Sequence, residues 1–396
     1  MSRILFAWEI GDHNGHVVPY LPRLSTMRDR EHEVTVAARD TGEIAAKVQA
    51  AGLALAQAPV CMKAFSGIAT DALDYGEILQ HQGYAHEATL LGLALAWRSI
   101  FDAVRPEIVI ANNSPLAMWT AQCRGIPRIR LGSGFNCPPL ETPMPQLRPA
   151  REDTRARREA TDAHIVATVN AVASRLHEAP IRHVQDLFAG CETWLFTLPE
   201  LDHYGARENA SYLGLPAFTP PRVDATRPGA PQVFAYLRMD HPHTEQMLAV
   251  MHRLDRNSIA YVPDIDDVRL ERYSGPNLRI VREPVDVKKV LSQARVVVSH
   301  AGHNLAAESL LSGVPVLALP GHLEQDLVAL NIERAECGLR IPMDQRHPKL
   351  DRALTRLLTE PAFRARALEF AASHRPSSSE VFLETLCNEC LQRKAA

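Results

Sequence analysis

Short, β-branched apolar runs alternate with longer segments of helical period along most of the chain. The first run, Ile4–Trp8, leads into a polar loop, a helix predicted from about Gly15, and a second run at Glu33–Ala37. Further runs lie at Ile108–Ala111 and Arg128–Leu131, with helices predicted over Glu87–Val104 and Arg151–His177. Continuous apolar runs bounded by turn residues read as buried strands of a parallel sheet. Gly214–Gln232 (GLPAFTPPRVDATRPGAPQ) is dense in proline and polar residues and reads as a linker. A second alternating set runs from Val233 to about Ile341, and helices follow from Pro348. The expected class is α/β, with two Rossmann-like, doubly wound domains. Residues 1–215 form the first, 216–231 the linker, 232–375 the second, and 376–396 a terminal helix.

The most informative stretch is Val296–Gln325, VVVSHAGHNLAAESLLSGVPVLALPGHLEQ. It predicts strand, tight turn, helix, strand and loop, a βαβ unit, and open α/β sheets bind ligands beyond the strand ends. Ala301 and Gly302 are small enough for close approach by a ligand. The helix beginning near His303 offers unpaired N–H groups and a positive dipole end to an anion. His300 adds a side-chain donor, Asn304 opens the helix, and Glu308 lies a turn further on, where it can accept from a ribose diol. Glu324 and Gln325 suit several hydroxyls. Together these predict contacts to phosphate, ribose and sugar: a nucleoside-diphosphate sugar as co-substrate, with no tightly bound cofactor.

Composition narrows the field. At 396 residues and 46% hydrophobic, the chain can build two cores. A net charge of −3 without a long basic run argues against nucleic acid as a partner. The sequence shows no apolar stretch of membrane-spanning length and no basic-then-apolar leader, so a cytoplasmic enzyme is expected. Seven scattered cysteines suit a reducing compartment, and Cys387 and Cys390 read as incidental thiols. Gly11 and Gly15 do not complete a dinucleotide fingerprint, which disfavours nicotinamide or flavin. His241 and His243 lack a third ligand at matching spacing, and Asp264–Asp267 reads as a solvated turn, so no metal site is expected.

The Val296–Gln325 segment resembles the donor-binding signature of the inverting GT-B glycosyltransferases, the family of plant secondary-metabolite and bacterial antibiotic glycosyltransferases. Its pattern of His-x-Gly-x-Asn, a later acid, Gly-x-Pro and an acid–Gln pair is met by His300-Ala301-Gly302-His303-Asn304, Glu308, Gly313-Val314-Pro315 and Glu324-Gln325. Near the start, Gly15-His16 and Pro19 match the first βα loop of that family, and His32-Glu33-Val34 its second strand, with Glu31 in place of the usual Gly. The middle of the chain, roughly residues 61–229, matches only in outline. The resemblance implies two domains facing each other across a cleft, with the last helix crossing back to the first domain.

It also implies a reaction: a sugar moves from UDP or dTDP to a small-molecule acceptor by single displacement, with inversion and without metal. A base must take the acceptor proton, and the resemblance places that role on His16, which the predicted helix start would keep neutral. Where the family often carries an Asp to orient the base, this chain has Asn112, or Asn113 if the strand is shifted by one. An amide oxygen can fix the tautomer but lends no full charge to the imidazolium. Three explanations stay open: a weaker base, a substitute carboxylate among Glu9 and Asp12 beside His13, or an acceptor acidic enough to need little help. The Trp-x-Pro-Gln of uridine-specific relatives is replaced by Arg282-Glu283-Pro284-Val285, so the base would stack on Arg282 or rest on backbone at Val285, and UDP and dTDP are both open. Leu305 replaces the usual Ser or Thr. Arg238 is a phosphate candidate, Gly15 a donor-side contact, and the Gly132–Pro143 loop with Phe135, together with His13, Phe65, Tyr75, Tyr84 and Asn113, a set of acceptor contacts. Two other readings are compatible: a hydrolysing nucleotide-sugar epimerase or lipid-linked sugar transferase of the same fold, and a non-catalytic nucleotide or partner binder. A homodimer is open.

Overall fold

The structure is a computed structural model that describes residues 1–374 apart from His13, Gly67, Ala69, Asp153, Ala217 and 219–231. The expected contact at His13, most of the linker, the terminal helix and the Cys387–Cys390 pair lie outside the described residues. The chain divides into two units.

The first unit holds Met1–Thr197 and Arg207–Ala217. Its strands are β1 (Arg3–Trp8), β2 (Glu33–Ala38), β3 (Ala54–Gln57), β4 (Ile108–Asn112), β5 (Arg128–Gly132), β6 (Glu192–Leu195) and β7 (Ser211–Tyr212). Among the described residues these form one parallel sheet in the order β3-β2-β1-β4-β5-β6-β7. The order reverses between β1 and β4, so the loops after those strands diverge and leave a crevice at the C-terminal edge. The register pairs Trp8 with Asn112, the last residue of each strand. The helices are α1 (Leu21–Asp29), α2 (Thr41–Ala50), α3 (Tyr75–Leu79), α4 (Glu87–Val104), α5 (Pro115–Cys123) and α6 (Arg155–Leu176). Helix α4 begins and ends where the sequence pattern places it, and its apolar stripe buries Leu90, Ala94, Trp97 and Phe101. Strands β1 and β4 are buried on both faces, which explains their unbroken apolar character.

The helix predicted from Gly15 begins instead at Leu21, with Pro22 in its first turn. Asn14–His16 and Val18–Tyr20 are short 3-10 turns. Pro19 and Pro22 remove backbone donors, so the chain cannot run as one α-helix from Gly15. Glu31, standing where the family carries glycine, takes φ 67. That left-handed backbone costs a residue with a Cβ on the order of 1 kcal/mol.

The second unit holds Leu198–Ala206 and Phe218–Ser377. Its strands are β8 (Val233–Tyr236), β9 (Ser258–Tyr261), β10 (Leu278–Val281), β11 (Val296–Ser299), β12 (Val316–Ala318) and β13 (Gly338–Arg340). They form a parallel sheet in the order β10-β9-β8-β11-β12-β13, reversing between β8 and β11. Around it run α7 (Thr244–His252), α8 (Asp267–Tyr273), α9 (Val287–Leu291), α10 (His303–Leu311), α11 (Leu323–Arg334), α12 (Leu350–Thr359) and α13 (Pro361–Ser373). The βαβ unit read from the sequence is β11-α10-β12. Leu198–Ala206, expected in the first domain, groups with this unit: the Asn331 amide donates to the Asp202 carbonyl at 2.9 Å, and His203 stacks on His303 at 5.9 Å. Among the described residues, no helix is long and apolar enough to cross a membrane.

Gly338 leaves no room for a side chain: a Cβ there would lie 2.1 Å from the Val316 carbonyl oxygen and 2.7 Å from Ile332. Gly338→Ala therefore strains the β12–β13 pairing, and thermal unfolding should show a loss of about 1–3 kcal/mol.

Candidate functional site

The first candidate site forms at the β1–β4 switch point. After Trp8 the chain turns through Gly11, whose φ of +98 only glycine adopts readily. A Cβ on Gly11 would lie 2.4 Å from His16 Nε2, so the loop backbone presses against the imidazole. The other side of the ring stacks on Trp8, at 5.2 Å between centroids and 15° between planes. His16 Nδ1 lies 2.7 Å from Asn112 Oδ1. A side-chain carbonyl only accepts, so Nδ1 carries the proton and Nε2 the lone pair. Asn112 is buried and also takes a hydrogen bond with the Tyr20 hydroxyl. His16 closes a 3-10 turn rather than opening an α-helix, so the helix-dipole argument for its neutrality gives way to this amide contact.

The neighbouring polar residues do other work. Asn113 takes φ 49; its Oδ1 accepts from the Tyr75 hydroxyl at 2.6 Å and its Nδ2 donates to the Ile10 carbonyl at 3.0 Å. With the Ile10 N–H to Asn113 carbonyl bond at 2.9 Å, it ties the two loops together. Asn113, Tyr75 and Tyr84 are thus buried anchors, not acceptor contacts. Glu9 points toward α5: its carboxylate accepts from Leu116 N–H at 3.0 Å, Ser114 Oγ at 3.2 Å and Tyr84 Oη at 3.3 Å. Burial nevertheless raises its pKa to about 7. It satisfies orphan N–H groups of that helix and does not orient His16. Asp12 is largely exposed and lies 3.8 Å from Arg39, an arrangement worth little in water. Neither substitutes for an Asp at position 112.

An open cavity of about 820 Å³ adjoins this corner, lined by Trp8, Gly11, Arg39, Val60, Met62 and Ile100 among others. Through Gly11 it borders the Nε2 side of His16. Gly15 has open space where a Cβ would stand. Phe65 is half-buried and stacks on His86 at 3.9 Å. Phe135 is half-buried in the loop after β5. A smaller cavity of about 390 Å³, lined by Arg3, Arg105 and Glu107, lies at the opposite ends of β1 and β4.

In the second unit the β8–β11 switch point carries the predicted turn. Ala301 takes φ 58 and is fully buried, and its N–H meets Ser299 Oγ at 3.2 Å. A left-handed residue with a Cβ, held in place at a strand tip, is the kind of strain that functional turns retain. Helix α10 follows without a side-chain cap, so its first N–H groups face outward past the exposed Gly302. Asn304 is half-buried on the first turn. Glu308 is a partly buried carboxylate whose pKa rises to about 7 through desolvation alone, and Glu324 behaves likewise. The side-chain oxygen of Gln325 accepts from Gly321 N–H at 2.8 Å, leaving its amine end for another partner.

Several expectations change here. The His300 side chain is no outward donor: Nδ1 donates to the Leu319 carbonyl at 2.9 Å and Nε2 accepts the Arg238 N–H at 2.9 Å. The ring bridges the loops after β8 and β12, and burial holds its pKa below the usual value. His303 is turned inward against His203, so only its backbone N–H is placed to serve an anion. Arg282 donates to the Ile265 carbonyl at 2.9 Å and to Asp267 at 2.5 Å, bonds that lie in the guanidinium plane. Val285 is half-buried just ahead of α9. Arg238 sets its Nε 3.3 Å from Asp264. His241 donates to the Pro320 carbonyl at 3.3 Å and packs 4.5 Å from His300; burial pushes its pKa down to about 4.

One feature escaped the sequence reading. Tyr236 and Tyr261 end β8 and β9 in register and stack at 4.9 Å and 25°. Aromatic residues closing two consecutive strand runs were the available signal.

Comparison with known proteins agrees with this geometry. The glycosyltransferase family 28 C-terminal domain matches residues 266–380. The NDP-glycosyltransferase YjiC of Bacillus subtilis (strain 168) is 31% identical over 65 residues, 16% of this chain and only 17% of that relative's length. Among solved structures, CalG4, the calicheamicin glycosyltransferase, superposes with a TM-score of 0.73 at 20% identity over all of both chains. VinC, solved in complex with dTDP, superposes at 0.68 and 17% identity over 99% of this chain and all of that one. The chain therefore has the GT-B fold, and residues 266–380 are similar to the glycosyltransferase family 28 C-terminal domain.

Proposed function

We propose that this protein is an inverting glycosyltransferase that carries a sugar from a nucleoside-diphosphate sugar to a small natural-product-like acceptor. The observation that carries the reading is the His16–Asn112 contact: with Nδ1 tied to the amide oxygen, Nε2 is the basic nitrogen, beside the Gly11 that lines the cavity. In the reaction the acceptor oxygen attacks the anomeric carbon as its proton passes to Nε2, and the carbon–oxygen bond to the diphosphate breaks. The electron pair departs with the nucleoside diphosphate. Charge developing on that leaving group would be met by the uncapped N–H groups of α10, by the backbone of Ala301–His303 and by the Arg238 guanidinium. Asn304 stands beside this anion site, while Glu308, Glu324 and Gln325 supply polar groups for ribose and sugar hydroxyls. The dTDP held by VinC and the thymidine diphosphate held by the glycosyltransferase SsfS6 make dTDP the first nucleotide to assay.

His16→Ala should lower turnover by at least about tenfold while dTDP affinity, measured by calorimetry, stays within error. Full turnover in that variant would remove His16 from the chemistry.

A second expectation concerns pH. Without nucleotide, Glu308 titrates near pH 7 because it is desolvated. The 3′-hydroxyl of the nucleotide's sugar donates best to the ionised carboxylate, so bound nucleotide lowers this pKa. Binding then strengthens as pH rises through 7 and weakens below it. Calorimetry with dTDP between pH 6 and pH 8 should show this slope, and Glu308→Gln should flatten it.

A further inference from the structure

We infer, resting on the reading of His16 as the base, that the site selects acceptors whose nucleophile is itself acidic, a phenolic or enolic hydroxyl, over aliphatic alcohols. His16 Nδ1 is satisfied by the amide oxygen of Asn112 at 2.7 Å. Glu9, the carboxylate two residues from the loop's turn at Gly11, is spent on Leu116, Ser114 and Tyr84. Asp12 faces solvent and Arg39.

A carboxylate behind an imidazole lowers the cost of forming imidazolium, because opposite charges attract and the charge grows during proton transfer. An amide dipole orients the ring and offers much less to that growing charge. Asn112 is therefore a positioning residue that holds the tautomer but leaves Nε2 a modest base. Abstracting a proton from an aliphatic alcohol requires a strong base. A phenol titrates near pH 10 in water, well below an aliphatic alcohol, so a modest base is enough to take its proton.

The cavity fits the same class of molecule. Val60, Met62 and Ile100 offer apolar contact to a flat ring system, beside a polar wall of Arg39, Asp12, Asp40 and Glu43. The phenolic proton passes to His16 Nε2 as the acceptor oxygen forms the new bond to the anomeric carbon, and the bond to the diphosphate breaks with its electron pair leaving on the nucleoside diphosphate.

The test is an acceptor series with dTDP-glucose and UDP-glucose as donors: 4-nitrophenol, 4-methylumbelliferone and unsubstituted phenol against 2-phenylethanol. The wild-type rate should climb with acceptor acidity, with 2-phenylethanol at least about tenfold slower than the phenols. Asn112→Asp should raise the rate on 2-phenylethanol more than on 4-nitrophenol, narrowing the ratio. A purely structural role for Asn112 would change both rates alike. Equal wild-type rates on alcohol and phenols overturn the proposal, as does an unchanged ratio in Asn112→Asp. Transfer that ignores acceptor acidity while still depending on His16 sinks this inference alone; no transfer to any acceptor sinks the proposed function with it.

Discussion

Everything proposed for this protein depends on one constraint repeated in each unit: a parallel sheet whose strand order reverses at its centre. At that reversal two strand ends lie side by side while their loops run apart. In the first unit the pairing of Trp8 with Asn112 sets a ring-stacking indole beside an orienting amide, and His16 has one place to sit. In the second, the pairing of Tyr236 with Ser299 brings the β8 loop beneath the turn into α10. Side chains from opposite ends of the sequence meet because the register of main-chain hydrogen bonds leaves no alternative.

Around these points most polar groups are structural. Asn113 locks the first loop to the fourth, Glu9 satisfies the start of α5, and His300 bridges two loops through both ring nitrogens. Each is a buried polar group fully bonded to its neighbours, and such groups keep a loop in one shape at low cost. The rigid frame leaves a smaller set for the proposed chemistry: His16, the N–H groups at the start of α10, and the carboxylates Glu308 and Glu324, whose pKa values burial has raised.

The replacement of an acid by Asn112 has a different weight once the surroundings are known. In sequence it left three explanations standing. With Glu9 committed to a helix and Asp12 in solvent, a substitute carboxylate from either residue is ruled out, and the base strength and the acceptor's own acidity become linked questions.

Periodicity and a handful of turn residues were enough to place two α/β units, the β11-α10-β12 turn, the extent of α4 and the residues bordering both strand-end sites, because strand and helix periods and glycine or proline stereochemistry are local properties. The family resemblance rested on that same local spacing. Direction and partnership were not local. That His300 turns to backbone, that Arg282 is occupied, that Asn113 anchors while its neighbour orients, and that two tyrosines stack across adjacent strands were settled by tertiary packing. A side chain's partners come from other strands and loops, and which of its atoms is left over depends on bonds formed many residues away.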